Sequence, residues 1–118
     1  MKGPARYGAV VYARDVRRLA DFYRQFFGMT VLRETPDLIS LDKDGFNIVI
    51  HVPPVEMPEA GFSPVKLFLT VESLAQAREA VTRYGGSVMD GEWCNPVFRL
   101  CNIVDPEGNP IQIREFSR

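Results

Sequence analysis

The sequence is poor in the residues that most often carry chemistry. It has one histidine, His51, one tryptophan, Trp93, and two cysteines, Cys94 and Cys101. The cysteines form no CxxC pair and have no histidine nearby, which excludes a disulfide framework. We interpret both cysteines as small, partly buried apolar side chains.

The sequence also lacks an excess of either charge and any long apolar run. Fourteen basic and 15 acidic residues give a net charge of -1, which favours neither nucleic acid nor an anionic membrane as a partner. The apolar runs are too short for a membrane span, and no apolar signal segment follows the N-terminal residues 1–4. We therefore expect a single cytoplasmic domain over residues 1–118, because 46% hydrophobic and 25% charged residues are typical of globular proteins.

The chain contains the same pattern of elements twice. A helical stretch from Asp15 to Gly28 is followed by apolar runs that meet at the turn Asp42-Lys43-Asp44-Gly45. A second helical stretch, from Ser73 to Gly86, is followed by a turn of the same kind at Asp105-Pro106-Glu107-Gly108. The period is too long and the copies too few for a solenoid. We therefore predict two βαβββ modules in an α+β domain.

Module one is predicted at about residues 5–53. Asp15 is a good helix N-cap, and Gly28 suits the left-handed conformation at a helix end. The helical spacing between them predicts a buried, aromatic-rich face; its members are Val16, Leu19, Ala20, Tyr23, Phe26 and Phe27, and we assign Phe22 to the core with them. Strands are predicted at Tyr7–Ala13, Met29–Glu34, Leu38–Leu41 and Phe46–Val52.

A proline-rich linker, residues 54–64, is predicted to be extended and to lead to module two at about residues 65–116. There we expect a helix that begins after Ser73 and ends at Gly85-Gly86. We place Trp93 in a loop between Gly91 and Pro96. Strands are predicted at Val65–Val71, Ser87–Asp90, Val97–Val104 and Ile111–Phe116.

The motifs resemble those of the vicinal oxygen chelate superfamily, which includes glyoxalase I, the bleomycin-resistance proteins, fosfomycin-resistance enzymes and extradiol dioxygenases. The matching segments are Asp15-Val16, Leu19 to Tyr23, Phe27-Gly28-Met29 and Asp105 to Ile113. The resemblance covers essentially the whole chain. It implies that the two modules form a cup-shaped mixed sheet, and it implies a homodimer with cups at or beside the subunit interface.

The enzymes of that superfamily hold a divalent metal in the cup, and this chain departs from their ligand pattern. Gly8 and Lys66 stand where a histidine is usual, and Gln112 stands where a glutamate is usual. The fourth strand offers Val49 or, in a shifted register, His51. Glycine and valine have no donor atom, and a protonated lysine has no lone pair to give. We therefore expect no metal and no other cofactor, as in the drug-binding branch of the superfamily.

Five side chains of module two are candidate ligand contacts. Gln112 and Arg114 share one face of the last strand, which the resemblance places in the cup, and Lys66 and Phe68 share the corresponding face of the fifth strand beside Thr70. This set suits a ligand with a carboxylate or another anionic group. The alternative is a solvated sheet face whose charges pair with Glu115 or Glu34. The fifth candidate, Trp93, could stack on a flat ligand or anchor a loop in the core or in a subunit interface.

The sixth candidate, His51, alternates with Ile48 and Ile50 along its strand, so the register decides which face it joins. It is either a polar or acid–base group in the pocket or a satisfied histidine at a strand end beside Pro53. Our prediction for the whole protein is metal-independent binding of a small molecule, such as an antibiotic or a toxin.

Two alternatives remain open. One is a lyase, isomerase or dioxygenase of the same superfamily, in which Gln112, His51 and Glu115 recruit a metal or His51 acts without one. The other is an interaction module whose cup is filled by its own side chains.

Overall fold

The computed structural model describes residues 5–53 and 64–117, and the chain divides into two compact units, residues 1–65 and 66–118. The predicted linker falls on residues 54–64, nearly all of which lie outside the described residues. Over the described ranges, no helix is long and apolar enough to cross a membrane.

Unit 1 contains one helix packed on a strand pattern that follows the prediction for module one. Its described elements are β1 (Gly8–Tyr12), α1 (Val16–Phe27), β2 (Thr30–Glu34), β3 (Leu38–Lys43) and β4 (Phe46–His51). The strands lie in the order β2-β3-β4-β1, with β1 parallel to β4 and the other two pairs antiparallel. The core of the unit lies between α1 and one face of these strands; its buried members are Ala13, Val16, Ala20, Met29, Ile39, Leu41, Ile48 and Ile50.

The ends of α1 are as predicted. The side chain of Asp15 accepts a hydrogen bond from the backbone N–H of Arg18 at 3.0 Å, which satisfies one of the donors left unpaired at a helix start. Gly28 ends the helix in the left-handed conformation at φ 70°.

Of the aromatic residues of α1 that were predicted to be core residues, Tyr23 is partly buried and packs against the core, but the prediction is wrong for the three phenylalanines. Phe22, Phe26 and Phe27 are 53%, 72% and 45% exposed, whereas Val16 and Ala20 are buried. The rings of Phe22 and Phe26 stack on each other with their centroids 5.5 Å apart. Helical spacing identifies neighbours on a helix surface, but small side chains make the closest contact with the sheet here, so the large rings lie at the margin of the contact.

Unit 2 has the same α+β composition. Its elements are β5 (Val65–Thr70), α2 (Leu74–Ala80), a 3-10 helix (Val81–Tyr84), β6 (Ser87–Val88), β7 (Trp93–Cys94), β8 (Phe98–Val104) and β9 (Pro110–Phe116). The strands follow the order β5-β9-β8-β6, and β7 also pairs with β8. The predicted class, α+β with two βαβββ modules, is confirmed.

Two local predictions in unit 2 need correction. The second helix is not continuous, because α2 ends at Ala80 and a tighter 3-10 turn continues to Gly85, whose N–H donates to the carbonyl of Thr82 at 3.2 Å. Trp93 is not in a loop, because it pairs with Leu100 as part of β7. A strand of two residues has too little sequence pattern to distinguish it from a loop.

The two repeated turns also differ in construction. In the first, Lys43 and Phe46 are the last paired residues, so Asp44 and Gly45 alone make the turn, at φ 51° and 90°. This is the two-residue hairpin turn that needs positive φ at both positions. In the second, one carboxylate oxygen of Asp105 accepts the backbone N–H groups of Glu107 and Asn109, both at 2.9 Å.

The strands of unit 2 have two different faces. One face packs against α2 through the buried cluster of Leu74, Cys101 and Ile113. The burial of Cys101 agrees with our interpretation and raises the pKa of its thiol. Cys94 is exposed, which corrects the prediction for that residue. Because side chains alternate along a strand, the opposite face carries a separate set of residues.

Candidate functional site

The strand face of unit 2 that points away from α2 gathers four of the predicted ligand contacts. Phe68 pairs with Gln112 across β5 and β9, and Gln112 pairs in turn with Asn102 across β9 and β8. Arg114 lies two residues beyond Gln112 on the same face of β9, and Lys66 lies two residues before Phe68 on β5. We call this set, Lys66, Phe68, Asn102, Gln112 and Arg114, the Arg114 face.

Arg114 is held between aromatic rings. Its guanidinium carbon Cζ lies 4.0 Å from the centroid of the Phe68 ring and 4.6 Å from that of Phe98. Arg114 is 7% exposed and Phe68 is 0% exposed. Phe68 is therefore covered, and its ring contacts the guanidinium of Arg114; a contact between Phe68 and a ligand stays a prediction.

Burial has an electrostatic cost for Arg114. Loss of water around the guanidinium lowers the pKa of Arg114 from its usual 12.5 to about 10. The group is still protonated at neutral pH, so a positive charge is held in surroundings of low polarity. The faces of the two rings partly compensate, because their electron density attracts a cation that has lost its water.

The other polar groups of the Arg114 face are linked by hydrogen bonds. Arg114 Nε donates to Gln112 Oε1 at 2.7 Å. Lys66 Nζ donates to Asn102 Oδ1 at 3.2 Å, reaching across β9. For the two acidic residues of the alternative interpretation, the structure shows ion pairs of Glu115 with Arg99 and of Glu34 with Arg17.

Trp93 adds an exposed ring to the same side of unit 2. Its partner across β7 and β8 is Leu100, which is itself the partner of Arg114 across β8 and β9. Cross-strand partners lie on the same face of a sheet, so Trp93 is on the side of the Arg114 face. The residue is 53% exposed.

His51 belongs to unit 1, whereas the other candidates belong to unit 2. Its Nδ1 lies 2.7 Å from the carbonyl oxygen of Val52, and its ring meets that of Tyr12 edge-on, with the centroids 6.4 Å apart. Ile48 and Ile50 face the α1 core, so His51 is on the opposite face of β4. These local contacts match the alternative of a satisfied histidine at a strand end.

Three positions at which the superfamily resemblance places metal ligands, Gly8, Lys66 and Gln112, do not suit a metal in this chain. Lys66 is a cation, and the oxygen of Gln112 is already engaged by Arg114. A Cβ atom at Gly8 would overlap the backbone carbonyl oxygen of Asn47 on the paired strand, so no side chain fits there. Across residues 5–53 and 64–117, no three His, Cys, Asp or Glu side chains are grouped to hold a metal ion.

Of the alternative metal set of Gln112, His51 and Glu115, the two members that belong to unit 2 do not share a face of the sheet. Gln112 and Glu115 lie on opposite faces of β9. Glu115 is on the helix side, where its Oε1 accepts the N–H of Leu74 at 2.7 Å.

Described residues of unit 1 line at least two surface cavities, and neither of these contains a predicted site residue. One, of about 430 Å³, is mostly apolar and lies between the end of α1 and the β3–β4 turn; it is lined by Tyr23, Phe27, Met29, Lys43, Asp44, Phe46 and Ile48. The other, of about 480 Å³, borders the first turns of α1 beside Asp15 and Phe22. The first has a volume suited to a small ligand, and sequence reasoning missed it because Phe27 had been assigned to the core.

Sequence reasoning also missed Asn102, a member of the Arg114 face, and Phe98, whose ring contacts Arg114. Both follow from one signal that was present in the sequence. The predicted strand Val97–Val104 covers all of β8, and the hairpin with β9 places its alternate residues on the face of Gln112 and Arg114. Applying the alternation to β8 as well as to β9 would have identified both residues.

The chain is similar to glyoxalase-type proteins in sequence and in fold. The family model described as "Glyoxalase-like domain" matches residues 8–114. No curated protein matches the sequence. A glyoxalase/bleomycin resistance protein/dioxygenase superfamily member from Vibrio splendidus 12B01 has a TM-score of 0.66 at 17% identity, over 95% of this chain and 98% of that one.

A methylmalonyl-CoA epimerase from Mycobacterium tuberculosis has a TM-score of 0.68 at 17% identity, over 96% of this chain and 87% of that one. Identities this low show a shared fold and not a shared activity. The family model, by contrast, matches nearly the whole chain. The protein therefore belongs to the Glyoxalase-like domain family, within the vicinal oxygen chelate superfamily.

Proposed function

We propose that this protein binds a small organic molecule, such as an antibiotic or a toxin, at the Arg114 face without the help of a metal. The observation that carries the proposal is the buried guanidinium of Arg114 between the rings of Phe68 and Phe98. A buried charge is a poor way to stabilise a fold, because loss of hydration usually outweighs what the charge gains. Buried charges with a perturbed pKa are concentrated at functional sites, so the position of this guanidinium supports a ligand site on this face.

Accessible groups would make the direct contacts with the ligand. Trp93 is more than half exposed and offers a rigid ring for stacking. Gln112 and Asn102 are half-buried, and their amides add polar contacts next to the covered arginine. A rigid aromatic group beside a few fixed polar groups is the usual composition of a small-molecule site.

The positive charges on the Arg114 face support binding of the ligand without a metal. Lys66 and Arg114 place two cations on this face, and a divalent cation among them would be repelled. Sequestration requires no bond to be made or broken, so a site without a nucleophile or a general base is sufficient for it. We extend the proposal to a homodimer in the cytoplasm, in keeping with the superfamily resemblance and with the composition of the chain.

A titration followed by amide-resonance NMR tests the proposal. The protein is purified without chelators, and anilinonaphthalene sulfonate and benzoate are each added before and after treatment with EDTA. We expect the largest shifts in β8 and β9, unchanged by EDTA, and no stoichiometric metal by elemental analysis. Bound metal that is required for ligand binding would contradict the proposal.

Two variants locate the bound probe. Arg114→Met removes the charge but keeps a long side chain over Phe68, and it should abolish the shifts in β8 and β9. Phe46→Ala alters the apolar cavity of unit 1 and should leave them unchanged. The opposite pattern would place the binding site in the unit 1 cavity instead. Light scattering of the same samples checks the expected dimer mass.

A further inference from the structure

The two amides of the Arg114 face are oriented by their neighbours. Arg114 Nε can only donate, so the atom of Gln112 that it meets at 2.7 Å must be the carbonyl oxygen. The ammonium of Lys66 likewise can only donate, so it fixes the oxygen of Asn102 at 3.2 Å. The usual ambiguity between the oxygen and nitrogen of an amide is thus resolved by chemistry at both residues.

The opposite end of each amide is its NH₂ group. Within residues 5–53 and 64–117, neither Gln112 Nε2 nor Asn102 Nδ2 has a hydrogen-bond partner, yet no fully buried side-chain nitrogen or oxygen lacks one. Both nitrogens therefore reach the surface of the molecule. The two residues are cross-strand partners, so their NH₂ groups are presented side by side.

We infer that Gln112 and Asn102 select a ligand whose recognised edge carries only hydrogen-bond acceptor oxygens, as an ionised carboxylate does. This inference rests on the proposed function and specifies its ligand class. Each of the two amides turns its NH₂ group outward, and an NH₂ group can only donate hydrogen bonds. The adjacent charges of Lys66 and Arg114 are positive. An ammonium or a primary amide on the ligand would set a donor against a donor, which leaves desolvated groups without partners.

Three ligands that share a benzene ring test the inference, because they differ in the hydrogen-bonding character of one substituent. Benzoate offers two acceptor oxygens, benzamide offers one acceptor and an NH₂ donor, and benzylamine offers donors only. We expect benzoate to bind at least about 10-fold more tightly than benzamide, the ratio for one charge-assisted hydrogen bond. Benzylamine should show no saturable shift of the β8 and β9 resonances.

Single-atom variants of the protein give the complementary test. Gln112→Glu keeps an oxygen for Arg114 but replaces the outward NH₂ by a second oxygen, and it should weaken benzoate binding about 10-fold or more. Asn102→Asp makes the same change beside Lys66 and should act in the same direction. Gln76→Glu adds an equal charge on the exposed surface of α2 and should leave the affinity unchanged.

The outcomes separate the inference from the proposed function. Equal affinities for benzoate and benzamide, with no effect of Gln112→Glu or Asn102→Asp, would overturn the inference and leave ligand binding at this face intact. Tighter binding of benzylamine than of benzoate would also overturn it. If none of the three ligands, nor anilinonaphthalene sulfonate, shifts β8 or β9, the proposed function fails and the inference fails with it.

Discussion

The indole ring of Trp93 lies in the space that a side chain on Gly91 would need. A Cβ atom at Gly91 would be 2.5 Å from Cη2 of that ring and 2.9 Å from Cζ2. Gly91 also has φ +102°, a conformation that side chains rarely adopt. The position of the one tryptophan in the chain is thus linked to a glycine two residues earlier.

Gly91→Ala should therefore move Trp93. We expect a changed tryptophan emission spectrum and a loss of about 1–3 kcal/mol in the free energy of unfolding, from backbone strain. Gly45→Ala is the matched control, because Gly45 has φ +90° and a Cβ atom there would meet nothing within 4 Å. It should cost similar stability and leave the emission spectrum unchanged. Identical spectra for Gly91→Ala and the parent protein would show that the ring does not depend on the glycine.

Two phenylalanine-to-alanine substitutions should differ greatly in their effects on stability. Phe68 is fully buried beneath Arg114, so Phe68→Ala leaves a cavity and should cost about 3–5 kcal/mol in the free energy of unfolding. Phe26→Ala removes an exposed ring and should change stability by less than about 0.5 kcal/mol. Urea denaturation followed by circular dichroism measures both values. A large loss of unfolding free energy in Phe26→Ala would indicate that Phe26 is a core residue, as the sequence predicted.

Glu115 should be important for the start of α2. Its Oε1 accepts the N–H of Leu74 at 2.7 Å, and its Oε2 accepts from Arg99 at 3.0 Å. Glu115→Ala removes both bonds and should lower the free energy of unfolding by about 1–2 kcal/mol. Glu79→Ala, on the exposed side of α2, is the control and should cost less than about 0.5 kcal/mol. Equal losses for the two variants would argue against a capping role.

The turn at Asp105 should make stability depend on pH. The backbone N–H and then the side-chain amide of Asn109 are the largest causes that lower the pKa of Asp105. A carboxylate with a depressed pKa contributes stability above the pKa of an unfolded aspartate, about 3.9, and loses it as pH falls through its folded value. Asp105→Ala should therefore show a smaller fall in urea midpoint than the parent protein between about pH 5 and pH 2.

The control for that measurement is Asp90→Ala, which removes an exposed aspartate shortly after β6. Its urea midpoint should fall with acid as steeply as that of the parent protein. Parallel acid curves for Asp105→Ala and the parent protein would contradict the role of the turn.

The sequence was sufficient to predict the fold because its local signals agreed with one another. Asp15 and Gly28 bracket α1, Ser73 opens α2, and the strands of both hairpins were located to within a few residues. Caps, glycines at positive φ and alternating strands are all decided within a few residues of chain, so a sequence displays them directly.

The candidate site was less predictable because its properties depend on contacts between strands. Gln112 and Arg114 could be placed on one face, but the bond that turns the Gln112 oxygen toward Arg114 depends on side-chain geometry. The burial of Phe68 likewise depends on what covers it. The exposed aromatic residues of α1 were misjudged for a related reason, because the helical pattern shows which residues are neighbours and not which of them the sheet can accommodate.

The close approach of Gly8 to Asn47 has a consequence for protein engineering. A histidine introduced at position 8, where the superfamily resemblance places a metal ligand, would not fit, because any side chain there meets the carbonyl oxygen of Asn47 on the neighbouring strand. The ladder between β1 and β4 would have to shift first. A designer who wants a metal in this scaffold would begin by rebuilding that pair of strands, and the choice of ligands would come second.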